Sequence, residues 1–366
     1  MTTSLLTTRH RRLIISSIVE VTKSENRNPK SQIKRAWLLP ALLSLLLLMA
    51  CGATLVGPAA IDAASLWRVM THPREDSPTA IIFWQMRVPR VLLATLVGAA
   101  LATAGACLQA VFKNPMADPY MLGVSAGGAL GAAAAMAFGV TLPFATTNAV
   151  PLFAWAGAVA TVYAVYLLGR SGGRAQITAM LLSGIALSSL LSALMYFLII
   201  TVGDTHLRER VHLWLLGGLY AADWGSVRQM LPYTLLGIGA VWIHARELNA
   251  LLLGEEQAHY LGVDVERTKK ILLFAASLTC AGAVSVSGII GFVGLIAPHA
   301  VRLLVGPDHR LLVPTAALVG AMFLLVCDTA ARTLKPPTEL PVGIFSALLG
   351  VPFFLYLLRK ARRTYL

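Results

Sequence analysis

The sequence predicts an all-α polytopic membrane protein of about ten transmembrane helices, and three observations carry that prediction. Hydrophobic residues make up 57% of the 366 and charged residues 13%. With a mean hydropathy of +0.72, this is far from a soluble domain. The apolar residues are gathered into separate stretches, many of them near the ~20 residues needed to cross ~30 Å of hydrocarbon. The bases sit in the tails and loops between those stretches. That placement removes nucleic acid as the partner a net charge of +13 would otherwise suggest.

Residues 1–35 form a basic tail, and 36–366 form the membrane domain. In the tail, Arg9, Arg11, Arg12, Lys23, Arg27, Lys30, Lys34 and Arg35 outnumber Glu20 and Glu25, while the apolar run Leu13–Val21 is too short to cross. The first span is Trp37–Val56. It contains the run Leu48-Met49-Ala50-Cys51-Gly52, which faintly resembles a lipoprotein cleavage site. A polar leader of more than thirty residues is too long for a signal peptide, so the span reads as uncleaved. A polar segment to about Met86 follows, with a short helix around Ala63–Met70.

Span 2 is Val88–Phe112, span 3 Tyr120–Phe138, span 4 Val150–Leu168 and span 5 Ile177–Val202. A short amphipathic helix is expected at Leu207–Leu219, then span 6 at Gln229–Ala245. The apolar stretch Ile271–Val305 is too long for one crossing, so it divides into spans 7 and 8 near Val286–Gly288. Spans 9 and 10 are Leu311–Ala331 and Val342–Leu358. With both termini on one side, 21 of the bases fall on that side and 9 on the other. The positive-inside rule then puts both termini, and loop 246–270, in the cytoplasm.

That loop carries five acids (Glu247, Glu255, Glu256, Asp264, Glu266) and four bases (Arg246, Arg267, Lys269, Lys270) between two apolar spans. Two short amphipathic pieces hinge at Gly254 and Gly262, with Leu251, Leu252, Ala258 and Leu261 lining one face. The plain reading is a solvated connector. The sharper one is a docking platform for a soluble partner.

The spans themselves hold little ionic chemistry. Of seventeen acids, Asp328 alone lies within an apolar stretch, four residues from Arg332. A proton- or sodium-coupled carrier usually needs ionisable or unwound coordinating groups near the midplane. Small residues abound instead, as in Gly98–Ala106 and Gly123–Gly131, and packing accounts for most of them. Cys51, Cys107, Cys280 and Cys327 have no short spacing and read as small apolar residues. No GxxxxGK[ST] occurs, so the chain cannot cradle a nucleotide alone.

The stretch RVPRVLLATLVGAALATAGACLQAVFKNPMADPYMLGVSAGGALGA (87–132) resembles spans 2 and 3 of the FecCD-type permeases. Further resemblance lies in MLLSGIAL (180–187), LWLLGGL (213–219), LLLGEEQAHYLGVD (251–264), SGIIGFVGLIAPHAVRLLVGPDHR (287–310) and ELPVGIFSALLGVPFFLYLLRK (339–360). These permeases are the membrane subunits of type II ABC importers for cobalamin, ferric siderophores and haem. The resemblance implies ten spans per chain, a homodimer or heterodimer of permeases, and a translocation path at their interface. It also implies a separate ABC ATPase, an extracytoplasmic substrate-binding protein, a bacterial cytoplasmic-membrane location, and no cofactor or metal of its own.

Three sets of residues take roles from the resemblance. Leu251, Gly254, Glu255, Ala258, Leu261 and Gly262 fall in the ATPase-coupling loop. Arg87 and Arg90, joined by Arg332, match arginines that receive acidic residues of the binding protein. Their alternative role is to anchor lipid headgroups. Asn114 and Met116, in the turn broken by Pro115 and Pro119, match one half of the cytoplasmic gate, and Ile177 and Thr178 match the other. His299 beside Pro298 reads as structural. The reading is therefore a permease subunit for a metal chelate that performs no covalent chemistry. An ion-coupled carrier working without an ATPase is the alternative, and a membrane-embedded enzyme would need paired acids or a histidine cluster that the spans lack.

Overall fold

The computed structural model describes residues 29–57, 62–71, 77–140, 149–171 and 174–364. The chain divides after Leu47 into two units. The described part of the first is the start of one helix, and the second holds the rest. Residues 1–28 of the expected tail, including the 13–21 run, lie outside the described residues.

The described chain is helical apart from one small hairpin. In order, the elements are α1 (Pro29–Leu55), α2 (Ala63–Thr71) and α3 (Pro78–Ile81). A π-helical turn, Ile82–Arg87, joins α3 to α4 (Val88–Val111), and a 3₁₀ turn, Pro119–Leu122, leads into α5 (Val124–Ala137). Then come α6 (Val150–Leu168), the hairpin β1 (Arg170–Ser171) and β2 (Arg174–Ala175), α7 (Ile177–Val202), α8 (Thr205–Leu215) and α9 (Trp224–Ile243). Two short helices, α10 (Ala245–Leu253) and α11 (Glu255–Tyr260), precede α12 (Val265–Ser287), α13 (Val293–Val305), α14 (His309–Thr333) and α15 (Val342–Thr364).

Among the described residues six helical runs are long and apolar enough to cross a membrane: α1, the continuous run Pro78–Val111, α6, α7, α12 and α14. Apolar but shorter stretches are α5, α13 and Val342–Tyr356 of α15. The helices fall in the predicted order, with two corrections. First, α12 starts at Val265, where the Asp264 carboxylate accepts the Arg267 backbone N–H at 3.1 Å, so the expected loop 246–270 ends in helix. Second, α13 has 13 residues, which at ~1.5 Å per residue falls well short of a full crossing. Residues 288–292 before it are not helical.

Irregular backbone survives at membrane depth only where protein satisfies it. Here the Tyr120 hydroxyl donates to Ile290 O at 2.8 Å and accepts from Ile290 N–H at 3.2 Å. Gly218 N–H donates to Ser287 O at 2.8 Å.

Within the second unit α4 is the axis, packing against α9, α12, α13 and α14. Its small residues explain why. A Cβ on Gly98 would overlap the Gly320 carbonyl of α14, and one on Gly105 would overlap the Gly294 carbonyl of α13. The stretch 98–106 is thus a packing seam, since lipid-soluble helices associate through close contact and have no water to escape. By contrast α7 turns a long apolar face outward, with Leu182, Ile185, Leu190, Leu194, Phe197 and Ile200 all exposed.

Candidate functional site

Two ends of the second unit carry polar structure. At one end, α10 and α11 form a two-helix knob. Ala245, Leu248 and Leu251 recur at helical spacing and are buried, as is Ala258 of α11. Gly254 joins the helices at φ 130° and ψ 153°, a conformation essentially confined to glycine. The expected single apolar face is corrected: Leu251 and Ala258 point inward, whereas Leu252 and Leu261 are exposed together with Leu253 and Tyr260. Leu251 and Leu252 lie ~100° apart around α10, so one helix cannot bury both against the same neighbour. The outward set leaves a small apolar face on the knob, with Tyr260 80% exposed.

The knob is pinned on two sides. Asn249 Nδ2 donates to Asp308 Oδ1 at 2.7 Å, and its Oδ1 accepts the backbone N–H of His309 at 2.9 Å and His309 Nδ1 at 2.8 Å, which fixes α10 to the start of α14. Lys269 of α12 is buried, yet its Nζ lies 2.7 Å from Glu255 Oε1 and 3.8 Å from Glu266 Oε1. Glu255, expected to face a partner, is thus tied within the chain to α12. Gly262, at φ 83°, closes the turn into α12.

The four residues expected to form a gate lie just past the end of α4 and at the start of α7. Lys113 adopts φ 49°, and Asn114 Oδ1 then accepts Met116 N–H at 2.9 Å, folding the Pro115 turn on itself. Asn114, Met116 and Ile177 are half-buried and Thr178 is exposed. The 3₁₀ turn after Asn114 packs on α7, where a Cβ on Gly184 would overlap the Met121 carbonyl. Gly184 lies about two turns beyond Ile177.

At the opposite end the three arginines are not at a wet rim. Arg87, Arg90 and Arg332 are 4%, 8% and 2% exposed. Arg87 Nη1 donates to Thr54 O at 3.1 Å and Leu55 O at 3.0 Å, and Arg332 Nη2 donates to Ala53 O. The last carbonyls of α1 lack intrahelical donors, and two guanidinium groups supply them. Arg90 Nε donates to Asp328 Oδ1 at 2.9 Å and its Nη1 to Glu339 Oε2 at 2.7 Å. Arg332 Nε makes a looser ion pair with Asp328 Oδ2 at 3.4 Å. These arginines line a cavity of about 310 Å³ with Glu339 and Tyr220, whose phenol is pushed up by burial.

Sequence reasoning missed Lys269 and Glu339. Lys269 was legible: with Leu272, Leu273, Ala276 and Cys280 it marks the buried stripe of one helix. Glu339 gave no signal, because its partner Arg90 is 249 residues away.

Residues 43–360 match the model of the FecCD transport family. The chain belongs to that family. Among FecCD relatives, the cobalamin import permease BtuC of Halobacterium salinarum is 49% identical over 279 residues, 76% of this chain and 73% of that protein. The hemin transport permease HmuU of Yersinia pestis is 39% identical over 330 residues, 88% and 95% of the two chains. A solved transporter of the metal-chelate ABC type, in an inward-facing conformation, superposes with a TM-score of 0.76 at 30% identity over 88% of this chain and 99% of that one. The FecCD assignment makes this a multi-pass membrane permease.

Proposed function

We propose that this chain is the membrane subunit of an ABC importer that moves an intact chelate, iron–siderophore, haem or cobalamin, into the cell, driven by ATP hydrolysis on a separate ABC ATPase. The observation that carries the reading is the knob. It is a compact two-helix body with an exposed apolar face, pinned to α12 by Lys269–Glu255 and to α14 by Asn249–His309. A connector needs none of this, whereas a part that must pass a partner's movement to the spans needs both stiffness and a docking face. The knob end is then cytoplasmic, with both termini on that side of a bacterial cytoplasmic membrane.

The exposed apolar face of α7 accepts a second permease, identical or homologous, and Asn114, Met116, Ile177 and Thr178 narrow the path between the copies at the knob end. The arginine end receives the extracytoplasmic binding protein, lipid surrounds the remainder, and nucleic acid plays no part. Arg87 and Arg332 cap the last turn of α1 there, and Arg90 meets the incoming protein through its exchangeable partner Glu339.

Reconstitution in liposomes tests the reading. Uptake of one labelled chelate is expected when permease, ATPase and binding protein are all present with ATP, and not when the ATPase is omitted. Uptake at the full rate without the ATPase would refute it.

A further inference from the structure

We propose that a slot between α6 and α12 binds one acyl chain of an anionic phospholipid from the leaflet on the knob side. A cavity of about 220 Å³ runs between Val159, Val162, Tyr163 and Tyr166 of α6 and Leu273, Phe274, Ser277 and Leu278 of α12, with Lys270 at its edge. Tyr163 and Phe274 are exposed on the outer faces of their helices, so the slot opens sideways towards the membrane. Ser277 sits deep, buried among apolar side chains, and its Oγ has no hydrogen-bond partner among the described residues. Walls this apolar favour an apolar guest over water.

Charge selects the lipid. Lys270 is exposed at the α12 end nearest the knob, while its neighbour Lys269 is committed to Glu255 and Glu266. No carboxylate lines the slot. The strand β2 lies against α12, and Arg170 of the same hairpin is exposed beyond Tyr166. The slot therefore has apolar walls and a basic edge. From Lys270 to Ser277 α12 rises ~10 Å, a depth suited to the upper part of a chain in one leaflet of a ~30 Å core. Basic pockets between spans at the cytoplasmic side hold anionic headgroups in this manner. The inference stands apart from the transport reading, which supplies only the name of the leaflet.

Native mass spectrometry of the full-length chain, titrated in detergent with phosphatidylglycerol or phosphatidylcholine of identical chains, tests it. One phosphatidylglycerol is expected to stay bound through delipidation, with phosphatidylcholine retained several-fold less. Lys270→Ala should weaken phosphatidylglycerol about fivefold and leave phosphatidylcholine unchanged. Ser277→Leu fills the slot, forfeits no hydrogen bond and should abolish retention of both lipids. Val159→Phe narrows the same slot from α6 and serves where Ser277→Leu lowers the folded yield. Equal retention of the two lipids, or retention untouched by both filling variants, overturns the proposal. So does retention lost only when two copies associate, which would make the slot an interface between copies.

Discussion

Each end of the molecule buries a cation, and the two differ in the company they keep. Lys269, at the knob, reaches carboxylates that are 44% and 39% exposed. Arg90, at the far end, meets Asp328, which is fully buried, and Glu339, which is 28% exposed. A pair whose carboxylate is wet opens at lower cost, because water takes over the carboxylate and only the cation is left to be solvated. A pair with both charges dry costs more, because opening it strands both where nothing solvates them. The knob clasp is therefore exchangeable, and the far cluster is a fixed joint with one exchangeable arm.

The sharpest way to break this contrast is Asp328→Asn. It leaves Arg332 buried without a counter-charge and Arg90 with Glu339 alone, and should cost about 3–5 kcal/mol, seen as a large fall in folded yield and thermal midpoint. If Lys269→Met lowered the midpoint as much, the distinction between the ends would be lost. Next in size, Gly254→Ala imposes a side chain at φ 130° and should cost about 1–3 kcal/mol. That loss should fall on the knob, read as weaker co-purification with the ATPase.

Glu339→Gln removes a half-wet arm of the far cluster. It should cost about 1 kcal/mol or less but tighten binding-protein association at low salt, because Arg90 loses a competitor. Unchanged affinity would show that Glu339 is as fixed as Asp328. Smallest in stability is Lys269→Met, which keeps the packing of the stem and releases the half-exposed Glu255, for a change under about 1 kcal/mol. Its signature is functional, with ATP hydrolysis maintained while transport per ATP falls. An unaltered ratio would remove the clasp from the coupling route.

The positions of the helices were legible because hydropathy is a property of short windows, and α6 and α7 fall on the predicted residues. Depth and partnership are not window properties. Arg87 and Arg90 flank the start of a span, as lipid-anchoring bases do, and nothing nearby in sequence announces that α1 ends against one and Asp328 against the other. The run Ile271–Val305 showed where the chain breaks, at Gly288, but composition could not show that α13 crosses only part of the bilayer. The knob's two pieces and their hinge were legible from glycine and charge spacing. Which leucines face outward depends on how α10 docks, and that is decided by α14 and α12.

The phenol of Tyr120 has a consequence for the order of assembly. Ile290 cannot satisfy its own backbone groups, and a single hydroxyl 170 residues earlier serves both. Chains enter the membrane from the N-terminus, so the 3₁₀ turn carrying Tyr120 is in place long before the break at 288–292 is made. The late half of the protein thus closes against a template laid down by the early half. Until α12 and α13 arrive, the early half keeps a polar group waiting inside an apolar seam.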